Sequence, residues 1–239
     1  MRAIIVIPAR WASTRFPGKP LAMIGGVSLI QRVYERSVRS QRAAAVFVAT
    51  DDDRIADHVR AFGGRVLQPE GDFHTGTDRI AAAVRLLDKP ADVIVNVQGD
   101  EPLIDIGEVD ALIDLLQRSA ADIGTLACPL TTDEEFEARD VVKVVVANDG
   151  IALYFSRAPI GSRATALRHI GVYAYRREAL EKFVSIPPSP LERAESLEQL
   201  RGLQHGLRIV VSQTSQPHLG VDRPEDVARV ESELAKLHS

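Results

Sequence analysis

Cysteine is nearly absent from this chain, in which Cys128 is the only one among 239 residues. A single cysteine excludes an internal disulfide and a zinc site built from thiolates, and it suits a reducing compartment such as the cytoplasm. Because Cys128 lies in the apolar segment IGTLACPL, we interpret it as a small core residue. The six histidines form no H-E-x-x-H pattern or other ligand spacing, so no structural zinc ion is expected.

Long apolar runs and a strong excess of one charge are also missing. No run approaches the roughly 20 residues that cross a bilayer, and the opening MRAIIVIPAR is too short for a signal peptide. The net charge of -4 gives no electrostatic basis for binding nucleic acid or a membrane surface. We therefore expect a cytoplasmic protein without nucleic-acid or membrane partners.

Common nucleotide-binding and hydrolase motifs are absent as well. The chain has no Walker A loop, no G-x-G-x-x-G after a strand and no G-x-S-x-G elbow. The sequence therefore excludes a standard P-loop NTPase and a standard dinucleotide-binding Rossmann domain.

Apolar segments rich in β-branched residues alternate with amphipathic segments through the first half of the chain. The segment 107–118, for example, carries one apolar stripe and is predicted as a helix. The alternation predicts an α/β fold with a mainly parallel, doubly wound sheet. Strands are predicted at 3–7, 45–50, 64–68, 92–98 and 122–130.

The second half predicts antiparallel strands. VVKVVVANDGIALYFS indicates two strands joined at residues 148–150, and RHIGVYAYR indicates another. IPPSPLERAESLEQLRGLQHG predicts one helix that ends at Gly206. We expect a single domain over 1–239 with a small antiparallel lobe at about 140–205. A last strand and helix return the chain to the core, the helix stripe being Val227, Val230, Leu234 and Leu237.

The loop IPARWASTRFPGKP follows the first predicted strand and carries Arg10, Arg15 and Lys19. Its prolines and glycine exclude a helix, so these cations are not the solvated face of one. The exit loop of the first strand is the usual phosphate site of an open α/β sheet. The loop therefore predicts an anionic ligand held by arginine forks and a lysine charge, with a basic surface loop as the alternative.

Two aspartates each follow a strand-like segment and a glycine. Asp100, in NVQGDEPLI, would lie at the carboxyl edge of the sheet, where its oxygens could hold Mg²⁺. The alternative is a cap for helix 107–118, which the intervening residues disfavour. Asp222, in GVDRPEDV, is compatible with a metal ligand and with an N-cap of the last helix.

A helix entrance is predicted at HTGTDRIAAAV. Thr75, Gly76 and Thr77 suit either capping or recognition of a base or ribose. Capping explains Thr77 but does not explain Arg79 beside it. The acidic run TDDDR at 50–54 is interpreted as a helix start and not as a metal site, because adjacent residues rarely converge on one ion.

The whole series of motifs resembles the 3-deoxy-manno-octulosonate cytidylyltransferase family. The resemblance covers nearly the whole chain in order, which is more specific than any one motif. The matching segments are IPARWASTRFPGKPLAMIGGVSLIQRVYERS, VATDDDRIADHVRAFGG, HTGTDRIA, VNVQGDEPLI, DVVKVV, ALYFSRAPI, RHIGVYAYR, SPLERAESLEQLR and GVDRPEDV.

This resemblance implies a fold of the nucleotide-diphospho-sugar transferase type and usually a homodimer. The implied reaction joins CTP and 3-deoxy-manno-octulosonate (Kdo) to give CMP-Kdo and pyrophosphate, with Mg²⁺, for lipopolysaccharide synthesis. The segment of about 140–205 would then bind the sugar and form the dimer contact.

The resemblance also implies a role for each matching residue. Arg10, Arg15 and Lys19 would hold the triphosphate, and Asp100 and Asp222 would ligate Mg²⁺; of these, Arg10, Lys19 and the two aspartates would be catalytic. The remaining nucleotide contacts would be Ala9, Thr75, Gly76, Arg79 and Gln98, and the Kdo contacts Arg157, His169, Tyr173, Glu198 and Gln199.

The sequence departs from the family pattern in three places. Only GSRATAL separates Ile160 from Arg168, where the family carries a longer segment. Trp11 replaces the common tyrosine, and Thr75 replaces serine. Alternative functions therefore include a cytidylyltransferase for an 8-amino Kdo analogue or sialic acid, and a nucleotide-binding module without catalysis.

Overall fold

The computed structural model describes residues 1–12, 16–215, 217 and 219–236. By their internal contacts, the residues divide into two units. The first unit comprises residues 2–107 and 218–239, and the second unit comprises residues 108–217 with residue 1. The expected single domain, with a lobe at about 140–205, stays a prediction.

The first unit is built on parallel strands. β1 pairs with β4 and β6, and β4 pairs with β5, which gives the order β6-β1-β4-β5. The apolar run at 4–7 in β1 is fully buried, as expected for a strand covered on both faces. Its elements in chain order are β1 (Ala3–Pro8), a 3₁₀ helix (Lys19–Leu21), β2 (Met23–Ile24), β3 (Val27–Ser28), α1 (Leu29–Ser37), β4 (Ala43–Ala49), α2 (Asp53–Ala61), β5 (Val66–Leu67), α3 (Gly76–Val84) and β6 (Val93–Asn96).

The second unit is mostly antiparallel. β10 pairs antiparallel with β7 and β8, β8 pairs antiparallel with β9, and β11 runs parallel to β7. Its elements are α4 (Ile106–Arg118), which begins two residues before the unit, β7 (Ile123–Pro129), α5 (Asp133–Glu137), β8 (Lys143–Val146), β9 (Ala152–Ser156), β10 (Leu167–Arg176), α6 (Arg177–Ser185), α7 (Pro190–Glu195), α8 (Gln199–Gln204) and β11 (Ile209–Gln213).

The chain then returns to the first unit with α9 (Asp226–Lys236), which buries Val230 and Leu234. Leu237, the last member of the predicted stripe, lies outside the described residues. Among the helices that are described, none is both long and apolar enough to cross a bilayer.

Most predicted elements are confirmed, including the α/β class, the first-half strands and the hairpin β8–β9. The single helix predicted up to Gly206 is wrong. It is two helices, α7 and α8, because Ser196 adopts a left-handed conformation with φ 52° and ψ 47° and ends α7. The short antiparallel pair β2–β3 has no counterpart among the predicted strands.

Candidate functional site

A cavity of about 390 Å³ opens in the first unit, where β1 and β6 end. This is the sheet edge at which ligands bind in open α/β folds. Phe73 and His74 line it beside the expected residues, although the sequence had not singled them out; the available signal was the motif HTGTD, which His74 opens and Phe73 precedes. The lining residues are Pro8, Ala9, Arg10, Lys19, Pro20, Phe73, His74, Thr75, Gly76, Arg79, Gln98, Gly99, Asp100 and Asp222.

Lys19 joins the two predicted aspartates. It opens the 3₁₀ helix after Gly18, whose φ of 69° suits glycine. Lys19 Nζ donates to Asp100 Oδ2 at 2.6 Å and to the carbonyl of Val221 at 2.9 Å, and it lies 3.6 Å from Asp222 Oδ1. The side chains of Lys19, Asp100 and Asp222 are 16%, 32% and 59% exposed, so the cluster remains open to a ligand.

Backbone contacts fix the position of Asp100. A Cβ atom on Gly99 would lie 3.0 Å from the carbonyl oxygen of Pro8, a tight contact, so glycine suits the close approach of the chain after β6 to the end of β1. The amide of Val221 donates to the carbonyl of Asp100 at 2.8 Å, which brings the segment of Asp222 alongside. The cation loop and both carboxylates therefore meet at one sheet edge.

The capping alternative for Asp100 is wrong, whereas the choice between cap and metal ligand for Asp222 stays a prediction. α4 begins at Ile106, and Asp105, not Asp100, accepts a backbone hydrogen bond there, from Gly107 at 2.8 Å. α9 begins at Asp226, four residues beyond Asp222. Burial acts to raise the pKa of the Asp226 carboxyl, but hydrogen bonds from the amides of Asp222 and Arg223, together with the charges of Arg229 and Arg223, hold it below the usual value.

The carboxylate pair fits a magnesium ion. Asp100 and Asp222 already share one cationic group, the Lys19 ammonium, and present the oxygen donors that Mg²⁺ prefers. Within the part of the chain that the structure describes, no three acidic, histidine or cysteine side chains converge on one point. That donor set suits Mg²⁺, which is commonly held by one or two carboxylates together with substrate phosphates.

The remaining loop residues occupy different environments. Ala9 is buried, and its amide donates to the carbonyl of Ala49 at 2.9 Å, whereas Arg10 is exposed at the cavity. Arg15 lies outside the described residues. The Arg54 guanidinium stacks 3.5 Å from the centroid of the Trp11 ring, which holds the start of the loop by a cation–π contact.

The helix entrance of α3 lies on the same cavity. Thr75, and not Thr77, is the N-cap, because Thr75 Oγ1 accepts from the amide of Asp78 at 3.1 Å while Thr77 is buried. Gly76 packs against Pro8, since a Cβ atom there would lie 3.3 Å from the proline ring.

Arg79 and Gln98 complete the predicted nucleotide contacts at the cavity. Arg79 is buried beside Phe73, its guanidinium 5.0 Å from the centroid of the phenyl ring. Gln98 Nε2 approaches Asn96 Oδ1 at 3.5 Å. Every predicted nucleotide residue that the structure describes therefore lines one cavity.

The predicted sugar residues lie in the second unit. The Arg157 guanidinium donates to the carbonyls of Arg139, Glu195 and Ser196 at 3.2, 2.8 and 3.3 Å. Glu198 pairs with Arg201 at 2.9 Å. Gln199 is buried, and its Nε2 atom has no hydrogen-bond partner among the described residues. A buried amide donor without a protein partner is uncommon in native structures.

His169 and Tyr173 lie on β10 with their ring centroids 5.4 Å apart. Burial, followed by the neighbouring Tyr175 and Glu198, raises the pKa of Tyr173 well above its usual value. Burial lowers the pKa of His169 to about 3. Both side chains are therefore neutral at physiological pH.

Thr125, which the sequence did not indicate, contacts the imidazole of His169. The Thr125 hydroxyl lies 2.8 Å from the carbonyl of Val172 and 2.9 Å from His169 Nε2. A hydroxyl that donates its single proton to that carbonyl accepts a hydrogen bond from an Nε2–H group of the imidazole. Nδ1 then carries a lone pair that can accept a hydrogen bond, for example from a sugar hydroxyl.

The shortened segment between Ile160 and Arg168 forms a tight turn. The amides of Thr165 and Ala166 donate to the carbonyl of Ser162 at 3.0 and 2.9 Å, and Ala166 is buried. Arg163 pairs with Asp133 at 2.7 Å. The short segment is thus anchored at both its backbone and its side chains.

Comparison with known proteins gives full-length similarities. The cytidylyltransferase family model matches residues 4–209. Relatives from Syntrophotalea carbinolica and Geobacter sulfurreducens, both named 3-deoxy-manno-octulosonate cytidylyltransferase, are 49% and 45% identical. The matches cover 99% and 98% of this chain, respectively, and 100% of each relative.

Two solved structures resemble the fold. One, a CMP:2-keto-3-deoxy-manno-octonic acid synthetase complexed with CTP, is 40% identical, has a TM-score of 0.94 and covers 99% of both chains. The other is a 4-diphosphocytidyl-2C-methyl-D-erythritol synthase from Anaerococcus prevotii. It is 14% identical with a TM-score of 0.66, covers 97% of this chain and 98% of that one, and is similar in fold alone.

Proposed function

The chain belongs to the 3-deoxy-manno-octulosonate cytidylyltransferase family, and from this premise we propose that it transfers CMP from CTP to the 2-hydroxyl of Kdo. The products are CMP-Kdo and pyrophosphate, and the activated sugar serves lipopolysaccharide synthesis. The 2-hydroxyl oxygen forms a bond to the α-phosphorus as the bond to the β-phosphate oxygen breaks. Pyrophosphate leaves with the electron pair, and the hydroxyl proton passes to solvent.

One geometric observation carries the assignment of this reaction to the cavity. The Lys19 ammonium lies within 4 Å of both Asp100 and Asp222, at the edge where Arg10 also faces the cavity. A simple binding site has no need of two carboxylates next to its cations, whereas a site that handles a metal-bound triphosphate does. The cluster therefore supports catalysis over binding alone.

Lys19 and Arg10 neutralise the charge that develops on the departing pyrophosphate, and Arg15 is proposed to assist them. Preorganised cations of this kind stabilise the transition state and not only the bound nucleotide. Asp100 and Asp222 would hold Mg²⁺, which supplies additional positive charge at the phosphate oxygens when bound.

The other cavity residues bind and orient the nucleoside. Ala9 lies beside the cytidine, while Thr75 and Gly76 at the start of α3, together with Gln98, provide polar and backbone groups for it. Arg79 adds a guanidinium to this side of the cavity. Holding both reactants in line removes much of the entropic barrier to transfer.

The sugar contacts are assigned to the second unit. Arg157 supplies positive charge for the Kdo carboxylate, and His169 accepts a hydrogen bond from a sugar hydroxyl at Nδ1. The buried Gln199 amide donates to another sugar oxygen, with Tyr173 and Glu198 nearby. We assign the enzyme to the cytoplasm, in line with the reducing compartment suggested by its single cysteine. The family resemblance also leads us to propose a homodimer.

A pyrophosphate-release assay tests the reaction. CTP, ATP, GTP and UTP are each combined with Kdo, its 8-amino analogue, sialic acid and methylerythritol phosphate. We expect release only with CTP and Kdo. Turnover with a different acceptor would replace Kdo as the substrate, and no turnover with any pair would favour a nucleotide-binding module.

The substitution Asp100→Asn tests the site. It should lower kcat by about a hundredfold or more, because one of the two carboxylates at the transferring phosphate is lost. Asp88→Asn, at an exposed aspartate of the same unit, is the matched control and should retain activity. Full activity in a folded Asp100→Asn protein would remove the assignment of this cluster.

A further inference from the structure

Arg79 is a buried cation that needs a partner. The residue is only 5% exposed and lies in the first turn of α3. A guanidinium removed from water is strongly disfavoured unless an opposite charge or an aromatic face replaces the lost hydration. The surroundings of Arg79 therefore determine whether this cation can be held at the cavity at all.

Two side chains lie next to the Arg79 guanidinium, those of Asp51 and Phe73. Asp51 Oδ1 lies 2.6 Å from Arg79 Nη1 as an ion pair, although the contact is not aligned as a hydrogen bond. Phe73 presents its ring 5.0 Å from the guanidinium carbon. Arg79 and Phe73 line the cavity, whereas Asp51 does not. Asp51 can therefore influence a ligand only through Arg79 or through its charge.

Within the described residues, the three aspartates of the acidic run that follows β4 have different partners. Asp52 is the N-cap of α2 and accepts from the amide of Arg54 at 3.0 Å. Asp53 accepts from Gln68 Nε2 at 3.0 Å. The three adjacent aspartates thus have three separate partners, and only Asp51 is directed to the cavity arginine.

We infer that Asp51 is a positioning residue for nucleotide binding, which holds the Arg79 guanidinium against Phe73 so that it presents to the nucleoside end of CTP. This inference rests on the proposed function, because it takes CTP as the ligand of the cavity. It adds a residue outside the cavity to the groups that determine nucleotide affinity.

Positioning and simple charge predict opposite effects. CTP is a polyanion, so an Asp51 that acted only by its charge would repel CTP, and its removal would strengthen binding. An Asp51 that positions Arg79 supports binding, and its removal would weaken it. The sign of the change in CTP affinity therefore separates the two roles.

The experiment measures CTP affinity by calorimetry and steady-state kinetics at one ionic strength. Asp51→Asn keeps the shape of the side chain and should raise Kd and KM for CTP by about tenfold to a hundredfold. The KM for Kdo should stay within about twofold, because uniform damage to the fold would move both constants. Asp57→Asn removes the same charge from the exposed face of α2 and should leave CTP affinity unchanged.

Further variants keep the inference falsifiable if Asp51→Asn folds poorly. Asp51→Glu retains the charge and should recover most of the affinity. In an Arg79→Gln background, Asp51→Asn should have no further effect, because the two residues act as one unit. Unchanged or tighter CTP binding by Asp51→Asn, or independent effects in the double variant, would overturn the inference while leaving the reaction intact. Failure of the wild-type protein to bind CTP would overturn both.

Discussion

His169 illustrates how burial decides the chemistry of a single residue. Its pKa is lowered to about 3 by burial, whereas an unfolded chain has a histidine pKa of about 6.5. Between these values the unfolded state binds the proton more readily, so the free energy of unfolding falls as the pH is lowered through this window. Above about pH 6.5 the histidine makes no such contribution to the pH dependence.

Replacement of His169 should therefore flatten the acid side of the stability curve. We expect the free energy of unfolding of the wild type to fall between pH 6 and pH 4.5 more steeply than that of His169→Gln, by at most about 1.4 kcal/mol per pH unit. Urea unfolding at several pH values measures this. His205→Gln, at an exposed histidine, is the matched control, and equal slopes for wild type and His169→Gln would contradict the neutral imidazole.

Residue types at the site were predictable from the local motifs, whereas their convergence was implied only by the family resemblance. The cationic loop and the glycine-preceded aspartates indicated a phosphate and metal site, yet spacing alone left caps as alternatives. Those alternatives depended on the first residue of α4 and α9, a boundary that apolar periodicity does not define closely. Asp51 and Thr125 were missed because each acts on a side chain that is distant in sequence.

At the scale of elements, Lys143 links β8 to neighbouring segments by hydrogen bonds to backbone carbonyls. The residue is fully buried, and its ammonium donates to the carbonyls of Ala138, Val141 and Arg157 at 2.7, 2.8 and 2.8 Å. Burial lowers the pKa of this ammonium, but three carbonyl oxygens replace the water around it. The Lys143 side chain thereby links the loop before β8 to the residue that follows β9.

Substitution of Lys143 should lower the free energy of unfolding. Lys143→Met keeps the length of the side chain but leaves three carbonyls without their donor, and we expect a loss of about 2–4 kcal/mol in the free energy of unfolding. Denaturant unfolding measures the loss. Lys182→Met, at an exposed lysine of α6, is the control and should change the free energy of unfolding by less than about 0.5 kcal/mol. A similarly small change for Lys143→Met would contradict a stabilising role for the three hydrogen bonds of Lys143.

The elements themselves were largely predictable because buried strands and amphipathic helices have distinct periods. The first-half strands are rich in β-branched residues, and the apolar stripe of α4 is buried as expected. The break between α7 and α8 was not predictable, since serine rarely adopts a positive φ and neither glycine nor proline marks the position. There the local fold overrides the helical pattern.

At the scale of the whole molecule, each unit carries one unique probe. Trp11, the only tryptophan, belongs to the first unit, and Cys128, the only cysteine, is buried in β7 of the second. Burial raises the pKa of the Cys128 thiol, which lowers its reactivity in the folded state. Fluorescence and thiol labelling can therefore follow the two units separately in one sample.

The predicted single domain requires that the two probes report one transition. We expect the urea midpoints from Trp11 fluorescence and from pulsed labelling of Cys128 to coincide, because one cooperative domain unfolds all at once. Cys128→Ser provides the blank for labelling. Two separated midpoints would show that the units unfold independently and would contradict the single domain.

The order of synthesis follows from the split first unit. Lys19 and Asp100 leave the ribosome early, but Asp222 belongs to the segment made after the entire second unit. With about 120 residues between the two aspartates, translation separates them by roughly 6 to 24 s. A nascent chain can thus assemble the strands around β1 while its second carboxylate does not yet exist, so the cluster of Lys19 with both aspartates is complete only after the second unit has been made.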